Sequence, residues 1–241
     1  MIDDKQYWIK RHKSKKGFMS AVGQRNHSNK ANYYVYKMLT DRYRKLLGKL
    51  DMAKNAKVLD AGSGIGIFSK FMESQGFQVV AADISQEALD AIGDTKIKTI
   101  CTSIDKIDFP KGHFDISQCF DVLYHILSDR EWEDSIANLC DLSGKYVILH
   151  ERFLKRRQLI NSKHVKPRTY QETLGILKKH GFAEYMSTPT AFFSSRLVTY
   201  KFAKHFPWVF YQMDRLTLSL FDKLKINSLG SHHIKVFRKI V

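Results

Sequence analysis

A short apolar run at residues 56–61, of strand length, passes directly into Gly62-Ser63-Gly64-Ile65-Gly66. A helical pattern follows, with Ile67, Phe68, Phe71 and Met72 on one face, until Gly76 stops it. Strand, glycine turn and helix in this order open a unit whose strand is covered on both faces. The alternation repeats. Residues 77–82 read as a second strand, Ser85 as the cap of a helix over 86–92, residues 97–101 as a third strand and 114–120 as a fourth. Ser128-Asp129-Arg130-Glu131 is a capping box, and its helix turns Trp132, Ile136 and Leu139 inward; residues 145–150 are the fifth strand. Thr169-Tyr170-Gln171-Glu172 is a second capping box, whose helix ends at Gly181. Repeated strand and helix units of this length imply an α/β fold, a parallel sheet with helices on both sides.

The pattern changes at both ends. Residues 1–55 read as a helical, basic cap in which Lys13, Lys15 and Lys16 run into Gly17, and residues 56–241 as the main domain. Within that domain, residues 184–193 and 232–241 look like strands of an antiparallel hairpin, so residues 194–229 form a helical insertion before the last strand. The helix opened by Pro207 carries Val209, Met213, Leu216, Leu220 and Leu224 on one face, with Lys201, Lys204, Arg215, Lys223 and Lys225 nearby. Such a helix roofs an active site, lies on an anionic membrane or forms a dimer contact; roofing is the expectation.

Composition narrows the class. With 44% hydrophobic and 12% aromatic residues in 241, the chain supports a large core rather than a disordered tract. Cys101, Cys119 and Cys140 are far apart and form no Cys-x-x-Cys pair, so neither a disulfide framework nor a four-ligand zinc site is expected, and a cytoplasmic setting is. No signal-peptide core opens the chain, and nowhere do about 18 apolar residues run together. The net charge of +16 is unevenly spread: +11 over residues 1–57, −8 over 58–150 and +13 over 151–241. Two basic flanks around an acidic centre suggest contact with a polyanion, whether nucleic acid, anionic membrane or a phosphorylated substrate.

The glycine run says what the sheet edge holds. Glycine permits a tight turn and lets backbone N–H groups and a helix N-terminus meet a ligand. A dinucleotide fingerprint places its third glycine one residue later, where Ile67 stands, which argues against NAD. Asp60, at the strand end, would repel a pyrophosphate yet favours an ammonium group, and Asp83, closing the second strand, is placed to accept from both hydroxyls of a ribose. An amino-acid nucleoside satisfies both carboxylates.

These residues resemble the first and second motifs of the class I S-adenosylmethionine-dependent methyltransferases: Asp60-x-Gly62-x-Gly64-x-Gly66 and then Asp83. The resemblance covers roughly residues 56–185. It implies a Rossmann-like, seven-stranded, mostly parallel sheet with an antiparallel last strand, and S-adenosyl-L-methionine as cofactor. It also implies Gly62, Gly64 and Gly66 beneath the methionine part, Asp83 with Ile84 at the ribose, and Ser103 and Ile104 at the adenine, with Phe120 beside the site. Ser103 departs from the acidic residue that many relatives carry there. Tyr7-Trp8-x-x-Arg11-His12 resembles an entry motif in which an arm folds over the cofactor and Arg11 pairs with the methionine carboxylate.

Methyl transfer from a sulfonium is an in-line displacement, so the protein's task is to hold the nucleophile in line and, for a hydroxyl, to take its proton. His125, one short turn beyond the fourth strand in Cys119-Phe120-Asp121-Val122-Leu123-Tyr124-His125, is a candidate general base or a loop-holding histidine. His150 is an alternative base at the end of the fifth strand, with Glu151 and His164 beside it in sequence. Asp121 and Glu151 are weak candidates for metal ligands, and no metal is expected. The chain lacks an Asn-Pro-Pro-Tyr or Asp-Pro-Pro-Tyr motif, a Pro-Cys pair and an RNA-stacking platform, so only positive charge argues for RNA. The reading is an O-methyltransferase of a small biosynthetic metabolite, such as a sugar, glycolipid or natural-product intermediate. The alternatives are an RNA methyltransferase and a non-catalytic cofactor-binding or interaction protein. The expected partner is a small-molecule or lipid-linked substrate; nucleic acid is not favoured, and contact of the Pro207 helix with the inner face of an anionic membrane is an alternative to its roofing role.

Overall fold

The computed structural model describes residues 4–14, 22–23, 27–151, 153–156, 164–194, 202–203, 205–226 and 232–240. Lys15, Lys16, Gly17, Lys201 and Lys204, singled out above, lie outside the described residues.

Seven strands form one sheet. They are β1 (Lys57–Ala61), β2 (Gln78–Asp83), β3 (Lys98–Cys101), β4 (Phe114–Phe120), β5 (Ser143–Glu151), β6 (Phe182–Ala191) and β7 (His232–Lys239), in the order β3-β2-β1-β4-β5-β7-β6. The first five pair in parallel, β7 is antiparallel, and the expected Rossmann-like sheet is present. The strand order reverses between β1 and β4, so the carboxyl ends of these two strands and their neighbours border one crevice. The helices are α1 (Asp4–Ser14), α2 (Asn29–Leu47), α3 (Ile67–Ser74), α4 (Gln86–Asp90), α5 (Asp129–Leu142), α6 (Tyr170–Lys179) and α7 (Pro207–Lys223).

The central strands are buried on both faces, as an apolar run without alternation requires. Edge strand β3 has a largely exposed pattern instead. Leu59, Phe114, Trp132, Ile136, Leu139 and Val147 are among the residues of the main core. The caps match their residue types unequally. Thr169 and Glu172 make the full reciprocal box at α6, whereas at α5 only half forms. Ser128 accepts from the Glu131 N–H, but the Glu131 carboxylate lies against Lys5 at 3.5 Å rather than turning back to the cap.

The chain divides into two compact units. Unit 1 comprises Met1–Lys16, Met52–Met186 and Lys235–Val241; unit 2 comprises Gly17–Asp51 and Ser187–Ile234. Residues 1–55, read as one cap, are thus shared out, with α1 in unit 1 and α2 in unit 2. Their contacts explain it. On α1, Lys13 pairs with Glu87 at 3.3 Å, Trp8 meets the His125 ring edge-on at 4.6 Å and Tyr7 stacks on His164 at 4.0 Å.

Within unit 2, α2 packs on α7 through Met38, Tyr211, Leu218 and Phe221. Arg42, almost fully buried, forks onto both carboxylate oxygens of Asp222 at 2.6 and 2.7 Å and donates to the Pro189 carbonyl at 2.9 Å. The apolar face read for α7 is not its packed face. Tyr211, Asp214, Leu218 and Phe221 are buried, whereas Val209, Met213, Leu216 and Leu220 are exposed. Asp214 tolerates burial because it accepts the N–H groups of Phe192, Phe193 and Ser194.

Candidate active site

The glycine turn folds as its residues dictate. Gly62, Gly64 and Gly66 have φ of 74°, 53° and 76°, in the left-handed region that side chains disfavour. At Gly62 a Cβ would also stand 2.5 Å from the Val122 side chain, so this turn must approach the β4 end closely. The Gly62 and Ser63 N–H groups both donate to the Ala82 carbonyl, which ties the turn to the end of β2.

Asp83 is the hub of that edge. It accepts the Gly64 N–H at 2.8 Å on one oxygen and the Ser85 N–H at 3.0 Å on the other, and it is 7% exposed. Burial lifts its carboxyl above the usual range, and the backbone donors, the Ile84 N–H among them, and the His12 ring pull it back. Asp60 sits deeper, at 2% exposure, where it accepts from the Ser69 hydroxyl of α3 and from Gln118. Its carboxyl is pushed up to about 6 by burial.

The α1 helix brings a residue to this edge that the sequence reading quoted without assigning a role. His12 is 4% exposed, lies within electrostatic reach of Asp83, Arg11 and Glu87, and is held below the ordinary imidazole value by burial. Neither of its ring nitrogens has a hydrogen-bond partner among the described residues, and the Ser63 hydroxyl likewise has none. Orphaned buried polar atoms beside an Asp that closes β2 fit a ligand rich in hydroxyl groups, as a ribose is. Arg11 stacks over Trp8 at 4.9 Å on the same helix. Ser103 precedes a 3₁₀ turn, Ile104–Lys106, in which Ile104 is buried and its carbonyl accepts from Asn138.

Across the switch point the edge is built from side chains. Phe120 ends β4 in register with His150 of β5, and its ring lies 4.4 Å from Phe68 of α3 and 6.0 Å from His150. His150 is 5% exposed, and its Nδ1 lies 3.1 Å from the Asp121 carboxylate. Asp121 has φ of 58°, strained for a residue with a Cβ, and its N–H donates to the His150 carbonyl at 2.7 Å. Backbone and side chain of Asp121 therefore both engage His150.

Glu151 accepts the N–H groups of Val122, Leu123 and Tyr124 at 3.0, 2.9 and 3.2 Å, which fixes the 3₁₀ turn Leu123–His125. Burial, with Asp121 nearby, lifts its carboxyl to about 8. His125 lies on that turn with Nδ1 2.7 Å from the His164 carbonyl oxygen, and burial pushes its imidazole down to about 4. Arg168, buried and unread in the sequence, bonds Asp129 and the carbonyls of Ile126, Leu127 and Lys166, closing the loop behind the turn. Asp121 and Glu151, the two carboxylates considered as metal ligands, are thus engaged by His150 and by backbone N–H groups. No group of three or more His, Cys, Asp or Glu able to hold a metal occurs among the described residues.

Comparison with known proteins agrees with this geometry. A family model described as a methyltransferase domain matches residues 31–195. The fold is similar to that of the magnesium protoporphyrin IX methyltransferase from Synechocystis PCC 6803 with bound S-adenosylmethionine. The two are 18% identical with a TM-score of 0.66, over 100% of this chain and 99% of the other. An S-adenosylmethionine-dependent methyltransferase from Leishmania major is 10% identical, with a TM-score of 0.67 over 97% of this chain and 82% of that one. The 1,6-didemethyltoxoflavin-N1-methyltransferase of Burkholderia thailandensis is 15% identical, with a TM-score of 0.53 over 86% and 79%. No curated protein matches the sequence significantly. With the motif order, the strand order and the family match in agreement, the chain belongs to the class I S-adenosylmethionine-dependent methyltransferases.

Proposed function

We propose that this enzyme methylates an oxygen of a small biosynthetic metabolite, a sugar, a lipid-linked sugar or a natural-product intermediate, with His150 as general base. The observation that carries the reading is the His150–Asp121 pair at the carboxyl ends of β5 and β4. With Nδ1 donating to a carboxylate, Nε2 keeps its lone pair, and the imidazolium formed when it takes a proton is stabilised by Asp121. His125 has only a neutral carbonyl on its Nδ1 and an imidazole at about 4, so it takes a hydroxyl proton poorly; its role is to hold the 164 loop.

S-adenosylmethionine supplies an electrophilic methyl on a positively charged sulfur. Asp83 and Ile84 would hold the ribose, joined by Ser63 and His12; the turn at Gly62, Gly64 and Gly66 would receive the methionine part and Arg11 its carboxylate. Ser103 and Ile104 border the adenine. Phe120, at the end of β4, would border the cofactor, and Asp60, through Ser69, holds the start of α3 against the turn. His150 would take the proton of an acceptor hydroxyl, and Asp121 would stabilise the imidazolium so formed.

Similarity to enzymes named for magnesium protoporphyrin IX and 1,6-didemethyltoxoflavin supports a small acceptor. Three cysteines without disulfides support a reducing, cytoplasmic setting. The test is transfer of isotopically labelled methyl into fractionated cell extracts. Label is expected in small or lipid-linked metabolites. Stoichiometric label at a defined RNA position would replace this reading with the RNA one, and cofactor binding without transfer to any pool would favour a non-catalytic role.

A further inference from the structure

We infer that the outer face of α7 docks on an anionic lipid surface. The helix carries two apolar stripes. One, Tyr211, Leu218 and Phe221, is packed inside unit 2; the other lies on the opposite side of the helix and meets solvent. Leu216 is 67% exposed, Trp208 54%, Leu220 52% and Leu224, just past the helix end, 59%, with Phe206 before it at 60%. Val209, Met213, Leu216, Leu220 and Leu224, at spacings of four, three, four and four, line one exposed face with Phe206 before it and Trp208 on its flank, and large apolar side chains so placed form a patch that mixed surfaces rarely carry.

The charge around the stripe selects the occupant. Lys223 and Lys225 are exposed at its C-terminal end, and Arg215 is exposed on the same helix. Both acidic residues of α7 are already engaged, Asp214 by the N–H groups of residues 192–194 and Asp222 by Arg42. Unit 2 as a whole has 13 Lys and Arg against 4 Asp and Glu. A second copy of the chain would set these like charges against one another. An anionic bilayer complements them, and an amphipathic helix with large apolar residues on one face and basic residues beside them is the form that lies in the headgroup region. No helix of the described residues is long and apolar enough to cross a membrane, so the contact is interfacial.

The full-length protein is to be mixed with vesicles of phosphatidylcholine, with or without about a third phosphatidylglycerol. Retention is expected on the anionic vesicles, at least tenfold weaker on the neutral ones, and falling as salt rises from about 0.05 to 0.5 M. Arg215→Gln, Lys223→Gln and Lys225→Gln together should weaken retention by about 100-fold, roughly fivefold per residue. Leu216→Ser with Leu220→Ser should weaken it at least tenfold, and, because both side chains are exposed, leave the melting temperature unchanged. Brominated lipid should quench Trp208 fluorescence in the otherwise unaltered protein, a measurement that needs no variant to fold, and Trp208→Phe should remove the quenched component. Equal retention on neutral and anionic vesicles, or none on either, overturns the inference. So does a lipid-free dimer that Leu216→Ser dissolves, which would assign the face to a second copy.

Discussion

At the ends of β1 and β2 the active edge is made largely of backbone: three glycines with positive φ, N–H groups turned onto Asp83, and a helix N-terminus behind them. At the ends of β4 and β5 it is made of side chains that reach across the sheet, His150 to Asp121, Glu151 to the 122–124 turn and His125 to the 164 loop. The first half can hold a ligand shared by a whole family because its geometry depends on a few adjacent residues. The second half, where we propose the acceptor and the base lie, depends on residues some 30 to 40 positions apart in sequence.

The two halves should therefore fail differently. The largest effect is expected at the acceptor half. His150→Ala should lower kcat by roughly 10²–10⁴ while S-adenosylhomocysteine binds as before, and Asp121→Asn should shift the rate against pH rather than abolish binding. Stopped turnover with intact binding would confirm that the halves are separable. A variant that instead loses cofactor affinity and stability together would make the His150–Asp121 pair structural.

Stability against pH probes the same half at the next smaller scale. The His125 imidazole sits at about 4 in the folded protein against an ordinary value of 6.5. Between these values the unfolded chain binds more protons than the folded one, so stability rises with pH across that window. The contribution is complete above about 6.5 and lost as pH falls through about 4, to an extent on the order of 3 kcal/mol. His125→Gln should remove this acid-side slope in chemical denaturation measured at stepped pH. An unchanged slope would assign the acid lability to other groups.

What could be seen in the sequence follows the same division. Asp60, the glycines and Asp83 were readable because strand, turn and strand place consecutive residues at one edge. The His150–Asp121 pair was not, since it exists only through the parallel register of β4 and β5, which sets Phe120 opposite His150. Arg168 had no signal at all: one arginine becomes a loop staple only once three carbonyls converge on it. In α7 the periodicity finds an apolar face, but not the face that packs. Two stripes have helical spacing, and the packed one contains Asp214, whose burial is made tolerable by three N–H groups twenty or so residues earlier. Periodicity reports that a face is apolar; it does not report what covers it.

The smallest effect is expected at the cofactor half, at Asp83. Removing its carboxylate in Asp83→Ala costs the charged acceptor for the ribose and leaves the Gly64 and Ser85 N–H groups without their shared partner. Affinity for S-adenosylhomocysteine should fall by about 1–3 kcal/mol, measured by calorimetry. NAD should bind neither protein. With saturating cofactor, kcat should stay within a few fold of wild type, because the base and the acceptor loop lie on the other side of the switch point. His12→Phe offers an independent probe of the same ribose, since its ring nitrogens have no hydrogen-bond partner among the described residues; it should weaken cofactor binding while keeping the apolar contact to Trp8. Unchanged affinity in both variants would show that the carboxylate at the end of β2 serves the turn alone and that the cofactor is held by backbone; a fall in kcat as large as that of His150→Ala would erase the distinction between the two halves.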